Sequence, residues 1–136
     1  MIETMNHLFR KLFGRRPNIP PSPLEESFHR FFAEAVNVEW IESGQEYEAI
    51  FYEDGAEKIA LFDAAGKLLE LRVNMQVQSL PVPVLNKASL YGELMNAIRI
   101  HRDETVFYEI IYRNLELKRF TLLLTSDGKV IREQAL

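Results

Sequence analysis

Tyr47-Glu48-Ala49-Ile50-Phe51-Tyr52-Glu53-Asp54-Gly55-Ala56-Glu57-Lys58-Ile59-Ala60-Leu61-Phe62-Asp63 reads as two strands and the turn between them. Aromatic and β-branched residues dominate, which suits a pleated, half-buried surface. Asp54-Gly55 is a strong signal for a two-residue hairpin turn. The reading extends outward in both directions. Upstream, Val38 and Trp40 alternate with Asn37 and Glu39, a first strand that Ser43-Gly44 turns into the second. Downstream, Ala65-Gly66 makes a turn and Lys67 to Val73 a fourth strand. Before all four, Ser22-Pro23-Leu24-Glu25 is a helix start, with Ser22 as cap, Pro23 in the first turn and Glu25 closing a capping box. Leu24, Phe28, Phe31, Phe32 and Ala35 then fall on one helical stripe.

The same order returns. Leu80-Pro81-Val82-Pro83 opens a segment whose Val84, Leu85, Ala88, Tyr91 and Met95 predict a second helix. Ile98 and Ile100 repeat the spacing of Val38 and Trp40, an offset of 60. Tyr108-Glu109-Ile110-Ile111-Tyr112 mirrors Tyr47-Glu48-Ala49-Ile50-Phe51 at 61, and Gly128-Lys129 mirrors Gly66-Lys67 at 62. Arg119 to Thr125 answers the third strand. One-residue steps in the offset are what loop insertions produce. The expected architecture is α+β: two tandem αββββ repeats forming an antiparallel sheet of about eight strands, with helices on one face. Residues 1–22 form a basic arm and proline-rich linker, and residues 23–136 a single domain of two repeats, 23–79 and 80–136.

These motifs resemble a known group. A helix ending at Ala35, then Val38-Glu39-Trp40, Tyr47-Glu48-Ala49, an Ala60-Leu61-Phe62-Asp63 to Gly66-Lys67 hairpin, Leu80-Pro81 and the pattern again are similar to the PepSY-like bacterial domains with a beta-lactamase-inhibitor-protein-like fold. The resemblance covers about residues 23–136. It implies tandem helix-plus-four-strand units, largely of unknown role and not enzymes, in relatives that are commonly exported. No inhibitor motif of the group maps onto residues here.

Length and composition bound the rest. The chain has 136 residues, 26% of them charged, and no cysteine. That is one ordinary domain with enough chain for a core of its own. Without cysteine, a disulfide framework, a thiolate-ligated metal and thiol catalysis are excluded. A formal charge of −4 gives nucleic acid no electrostatic footprint. Met1 to Phe13 is interrupted by Glu3, Asn6, His7, Arg10 and Lys11, so it lacks the apolar run of a secretory signal, and a cytoplasmic location is expected.

Charge is nonetheless divided along the chain. Residues 1–23 hold Arg10, Lys11, Arg15 and Arg16 against Glu3, whereas residues 24–136 hold 12 basic and 19 acidic groups. Met5, Leu8, Phe9, Leu12 and Phe13 stand at helical spacing. The arm either packs this stripe on its own domain or anchors the chain to a partner or a membrane surface, the last weakly for so few cations. Pro17, Pro20 and Pro21 make the linker a stiff spacer.

Chemistry-bearing residues are sparse. His7, His29 and His101 form no metal-binding spacing; His29 lies beside the first helix stripe and His101 in a charged, solvated turn. No serine sits in a nucleophile elbow, and the six glycines are single. Asp63 and Asp127 precede hairpins, where they are turn chemistry. Neither catalysis nor a cofactor or metal is expected.

Two faces of the sheet remain to be assigned. Tyr47, Ala49, Phe51, Ala60, Phe62, Tyr108, Ile110, Tyr112, Phe120, Leu122 and Leu124 are assigned to the helix side. The opposite side then carries Glu48, Ile50, Tyr52, Ile59, Leu61, Glu109, Ile111, Arg113 and Leu123. A solvated face alternates apolar and polar residues, and this one is too apolar. It is the candidate interaction face, through Ile50, Tyr52, Ile59, Leu61, Ile111 and Leu123, with Trp40 as a further anchor. The expected function is a non-catalytic protein-binding module, inhibitory in one form, with an unidentified protein or a second copy as partner. The alternative is a small-molecule carrier or weak enzyme whose pocket lies between sheet and helices, lined by Tyr47, Phe51, Tyr108 and Tyr112.

Overall fold

Alternating sequences of this kind need a turn every eight or so residues, and the computed structural model places one at each expected position. It describes residues 16–17 and 20–136. In chain order these are β1 (Arg16–Pro17), α1 (Ser22–Phe31), β2 (Val36–Ser43), β3 (Glu46–Glu53), β4 (Ala56–Asp63), β5 (Leu68–Met75), α2 (Val82–Ser89), β6 (Glu93–Arg102), β7 (Thr105–Arg113), β8 (Arg119–Thr125) and β9 (Val130–Ala135). A short 3-10 turn, Val77–Ser79, leads into α2. The strands form one antiparallel sheet in sequence order, β1 to β9. Every strand therefore pairs with its chain neighbours, and β5 joins the two halves through β6.

Both helices lie on the same side. Leu24, Phe28 and Phe32 pack on Ala49, Phe51, Ala60 and Phe62, with Trp40 and Tyr47 at the margin. Phe28 is the hub, with ring centroids 4.9 Å from Phe51 and 5.3 Å from both Phe32 and Trp40. Leu80, Val84 and Ala88 pack on Ala97, Tyr108, Ile110, Tyr112, Leu122 and Leu124. Burying each large side chain stabilises the fold by about 1.5–3 kcal/mol. The helix-side assignment of the sheet residues agrees with this packing.

Each helix also rests on a glycine turn. Ser27 Oγ donates to the Gly66 carbonyl at 2.7 Å, tying α1 to the β4–β5 turn. A Cβ on Gly66 would stand 3.1 Å from Ser27 Cβ, and one on Gly128 would stand 2.6 Å from the Pro83 carbonyl oxygen. Both glycines have positive φ, +92° and +91°. Lack of a side chain thus permits both the turn and the close approach of a helix. Asp63 Oδ1 accepts from the Ala65 and Lys67 amides, the turn chemistry expected of it.

Several local expectations are corrected. The residue at the α1 N-cap is Pro21, with no side-chain cap bond, rather than Ser22. The helix stops at Phe31, because the chain leaves helical geometry at Phe32 to reach β2. The second helix ends at Ser89, and Met95 belongs to β6. His101 lies within β6, half-buried, where it accepts from Arg99 Nε at 2.9 Å, rather than in a solvated turn. The linker is not a free spacer: Arg16 and Pro17 pair with Glu42 and Ile41 at the sheet edge, where a strand proline is tolerated. The stripe Met5 to Phe13 lies outside the described residues.

The offset of 60 at the first strands also fails. Trp40 stands opposite Ala49, and its positional counterpart opposite Ile110 is Ala97. Ile98 and Ile100 instead oppose Glu109 and Phe107, on the side away from the helices. The cause is hairpin length: the β2–β3 ladder ends at Ser43 opposite Glu46, whereas the β6–β7 ladder runs two residue pairs further, to Arg102 opposite Thr105, so counterparts on the first strands stand 57 apart rather than 60. Each half also carries a one-residue register shift, between Val36 and Glu39 and between Leu94 and Asn96; at the first, Asn37 adopts φ +56° and the parity facing the core changes across it.

Replacing Gly128 by Ala is expected to cost about 2–4 kcal/mol, from the positive φ and the clash with the Pro83 carbonyl. Gly44→Ala, where nothing lies within 4 Å of the added Cβ, is expected to cost only about 1 kcal/mol. Urea unfolding of the two variants measures the difference.

Candidate functional site

The side of the sheet away from the helices is the candidate site. Antiparallel register decides its membership. Ile50 opposes Ile59, Glu48 opposes Leu61, and Tyr52 opposes Glu57. Ile59 opposes Arg72, and Arg72 opposes Ile100. Ile111 opposes Thr121, and Glu109 opposes Leu123. Of the seven residues expected to form the face, six lie there: Ile50, Ile59 and Leu61 together near β3–β4, Tyr52 at the end of β3, and Ile111 and Leu123 in the second half. Trp40 does not. Its indole stands on the helix side against Phe28 and Phe62, because the register running back from Ser43 opposite Glu46 sets Trp40 opposite the helix-facing Ala49.

Exposure divides the face further. Ile50, Ile59, Ile98 and Ile100 form one buried cluster, with Ile41, Phe107 and Leu123 half-buried around it. Ile111 is buried as well, and Leu61 half-buried. Only Tyr52 among the expected residues is well exposed, at 43%. The face is therefore an apolar floor, and its contact-ready groups are Tyr52 and the half-buried fringe. The sequence pattern places Ile98 and Ile100 on neither side. The signal that finds them is the β6–β7 turn at Asp103-Glu104, whose register sets Ile98 opposite Glu109 and Ile100 opposite Phe107.

Charge is laid across this floor in an ordered way. Arg72 stands between Ile59 and Ile100 and is held by Glu70 at 2.8 Å and Glu109 at 3.2 Å. Arg102 Nε reaches the other Glu70 oxygen at 3.1 Å. Hydrogen-bonded partners are what allow Arg72, Glu70 and Glu109 to sit at low exposure, whereas Arg102 is half exposed. Glu48 and Glu57 are also buried, and the Tyr52 hydroxyl donates to Glu57 Oε2 at 3.3 Å. Burial raises the Glu57 pKa, with the Tyr52 hydrogen bond opposing it; the Glu57 charge in turn raises that of Tyr52. Two buried amide atoms on the same face, Asn74 Oδ1 and Asn96 Nδ2, have no hydrogen-bond partner.

The helix side offers no comparable opening at the residues expected to line one. Phe51 and Tyr108 are buried in the two cores, and the Tyr112 hydroxyl is bonded to Glu133, with burial the main cause of its pKa rising to about 12. Among the described residues, one surface depression lies at Tyr91, Glu93, Arg113 and Leu117 and another at Leu68, Leu71, His101 and Asp103. Neither is lined by Tyr47, Phe51, Tyr108 or Tyr112. Among the described residues, no group of three or more His, Asp or Glu side chains is placed to hold a metal. No helix among them is long and apolar enough to cross a membrane.

No family model matches the chain, and no curated protein matches its sequence. Solved structures do match. A Bacteroides eggerthii protein provisionally described as periplasmic superposes with a TM-score of 0.80 at 17% identity, covering 87% of this chain and 90% of its own. A DUF2874 family protein of Bacteroides uniformis gives 0.79 at 17%, covering 86% and 90%. A BLIP-like protein of Bacteroides fragilis gives 0.75 at 17%, covering 88% of each chain. The fold is thus BLIP-like: α+β, an open antiparallel sheet with two helices. One expectation is corrected by these neighbours. The chain was read as cytoplasmic because its first residues lack an apolar run, yet the fold is shared with a protein described as periplasmic, and that lack constrains only the residues read.

Glu57 yields a pH test. Its folded pKa is raised above the ordinary 4.5, so the folded state holds the proton more tightly than the unfolded chain. The stability this contributes is present below the unfolded pKa and lost as pH rises through the folded one. Glu57→Gln, which can still accept from Tyr52, is expected to raise the urea midpoint at neutral pH. The gap to the parent should close as pH falls below 4.5.

Proposed function

We propose that this chain is a non-catalytic protein-binding module acting through the side of the sheet opposite its helices. One observation carries the reading: an isoleucine floor crossed by an ordered lattice of carboxylates and arginines lies on the side that neither helix covers. Apolar centres with charged surroundings are how protein interfaces combine burial with register. Tyr52, Leu61, Leu123, Ile41 and Phe107 are the groups that meet a partner, while Ile50, Ile59 and Ile111 shape the floor beneath them. Its charged groups are engaged with one another, which favours a recognition surface over acid–base chemistry.

Three finer readings belong to the same proposal. Each half of the domain is a copy of one αββββ unit; the matching helix-on-glycine contacts of Ser27 with Gly66 and Pro83 with Gly128 support this. The chain is a distant relative of the PepSY-like group, as its motifs at 47–51 and 60–67 support. Action outside the cytoplasm is supported by the B. eggerthii neighbour and is compatible with a chain lacking cysteine. The BLIP-like neighbour supports an inhibitory form of the function.

Affinity capture from an extract of the source organism tests the reading, with the Tyr52→Asp, Leu61→Asp double variant as control bait. Retention of a protein by the parent and its loss by the folded variant is the expected outcome. Identical captures by both baits would overturn the assignment of the face.

A further inference from the structure

Three turns of this sheet share one backbone pattern, and the third places leucine where the others place glycine. Asp63 and Thr125 each donate their amide to the carbonyl of the lysine four residues on, at 3.0 and 2.9 Å. Their own carbonyls accept from the amides of Gly66 and Gly128, both at 3.0 Å. Asn114 does the same with Lys118 and Leu117, at 2.9 Å for each bond. Its Oδ1 also accepts from the Glu116 and Lys118 amides, as Asp63 Oδ1 does from Ala65 and Lys67. Leu117 thus fills the left-handed position, with φ +64°. A bulky side chain is disfavoured there and glycine is not.

Packing does not account for the leucine. Leu115 is fully exposed, and Leu117 and Leu90 are 68% and 81% exposed. Gly66 and Gly128 each meet a helix, whereas Leu115 and Leu117 line an open groove of about 560 Å³ with Tyr91, Glu93 and Arg113. Leu90 precedes Tyr91 where α2 ends. Apolar groups therefore project from this end of the second half in spite of the strain at Leu117.

The charge around them is basic. Residues 87–93 and 113–119 carry Lys87, Arg113, Lys118 and Arg119 against Glu93 and Glu116, a balance of +2 in a chain of −4. Glu93 is engaged by Arg113 Nη2 at 2.6 Å. Lys118 adjoins Leu117, the Lys87 carbonyl accepts from the Leu90 amide at 3.2 Å, and both lysines are exposed. Projecting leucines with lysines beside them complement a surface that is apolar within and anionic at its rim. Tyr91, half-buried beside them, is of the type that suits the headgroup level. An acidic remainder is repelled by such a surface, which turns this end toward it.

We propose that the β7–β8 turn, residues 114–118, is a membrane-surface contact: Leu115, Leu117 and Leu90 enter the interface of an anionic bilayer, and Lys118 and Lys87 meet its headgroups. The contact is peripheral and reversible, as befits so few groups. It uses none of the residues assigned to the protein-binding face, so each reading stands or falls alone.

Cosedimentation of the full chain with vesicles of phosphatidylglycerol and phosphatidylcholine, against phosphatidylcholine alone, tests this. Partition into the anionic vesicles is expected, and it should weaken as salt is added. Leu117→Gly is expected to lower it about tenfold, the worth of one inserted leucine. The same change should raise the urea midpoint by relieving the left-handed strain, so the loss cannot be a folding defect. Leu115→Ser is expected to lower partition similarly, and Lys118→Glu to reduce the preference for anionic lipid. Absence of the parent chain from the anionic pellet would overturn the proposal. So would binding that Leu115→Ser, Leu117→Gly leaves unchanged, since the lipid contact would then lie elsewhere in the chain. Self-association without lipid binding, abolished by the same two changes, would also overturn it and make a second copy the occupant.

Discussion

Packing of Leu24, Phe28 and Phe32 from one helix, and Val84 and Ala88 from the other, on a single side of the sheet is the constraint on which the remaining features depend. An antiparallel sheet built of consecutive hairpins has no need of crossovers, so its two helices are additions at the start of each four-strand run. Each is short, and each is held by contact with the glycine turn that follows the third strand of its own run. That contact positions the helices over their own halves. Neither of these two helices lies on the reverse side of the sheet.

The reverse side deals with this in two ways. Where it is apolar, at Ile50, Ile59, Ile98 and Ile100, side chains from β3, β4 and β6 converge into one cluster across the junction of the halves. Where it is polar, carboxylates and arginines are spent on each other, with Arg72 bridging Glu70 and Glu109. A sheet face that only met water would alternate more cleanly and show its apolar groups singly. A sunken apolar floor, ordered charge and the unpartnered Asn96 and Asn74 atoms lie together on this side, and the proposed function rests on that combination.

Legibility in the sequence varied with the kind of information required. Hairpins at Asp54-Gly55 and Asp127-Gly128, both helix starts and the sidedness of Tyr47 to Phe62 and Tyr108 to Leu124 were readable, because period-two alternation and turn residues are local properties. Trp40 was assigned to the wrong side, and Ile98 and Ile100 were missed. In both cases the reason is register: which side a residue takes follows from the residue it opposes across the turn, Ala49 for Trp40 and Glu109 and Phe107 for Ile98 and Ile100, and alternation within one strand does not say which of its faces is which. His101 misled for a related reason, since a run of charges reads as a turn until its pairing with Leu71 and Val106 is known.

By itself, then, the sequence determined the elements, their order and which half of each central strand is apolar, since these follow from residue type and spacing along the chain. Tertiary structure alone decided the register of β2 and β6, the burial of the isoleucine floor and the pairing of Arg72 with two carboxylates. Those depend on side chains brought together from strands tens of residues apart, Arg72 and Glu109 among them, and no local pattern encodes that meeting.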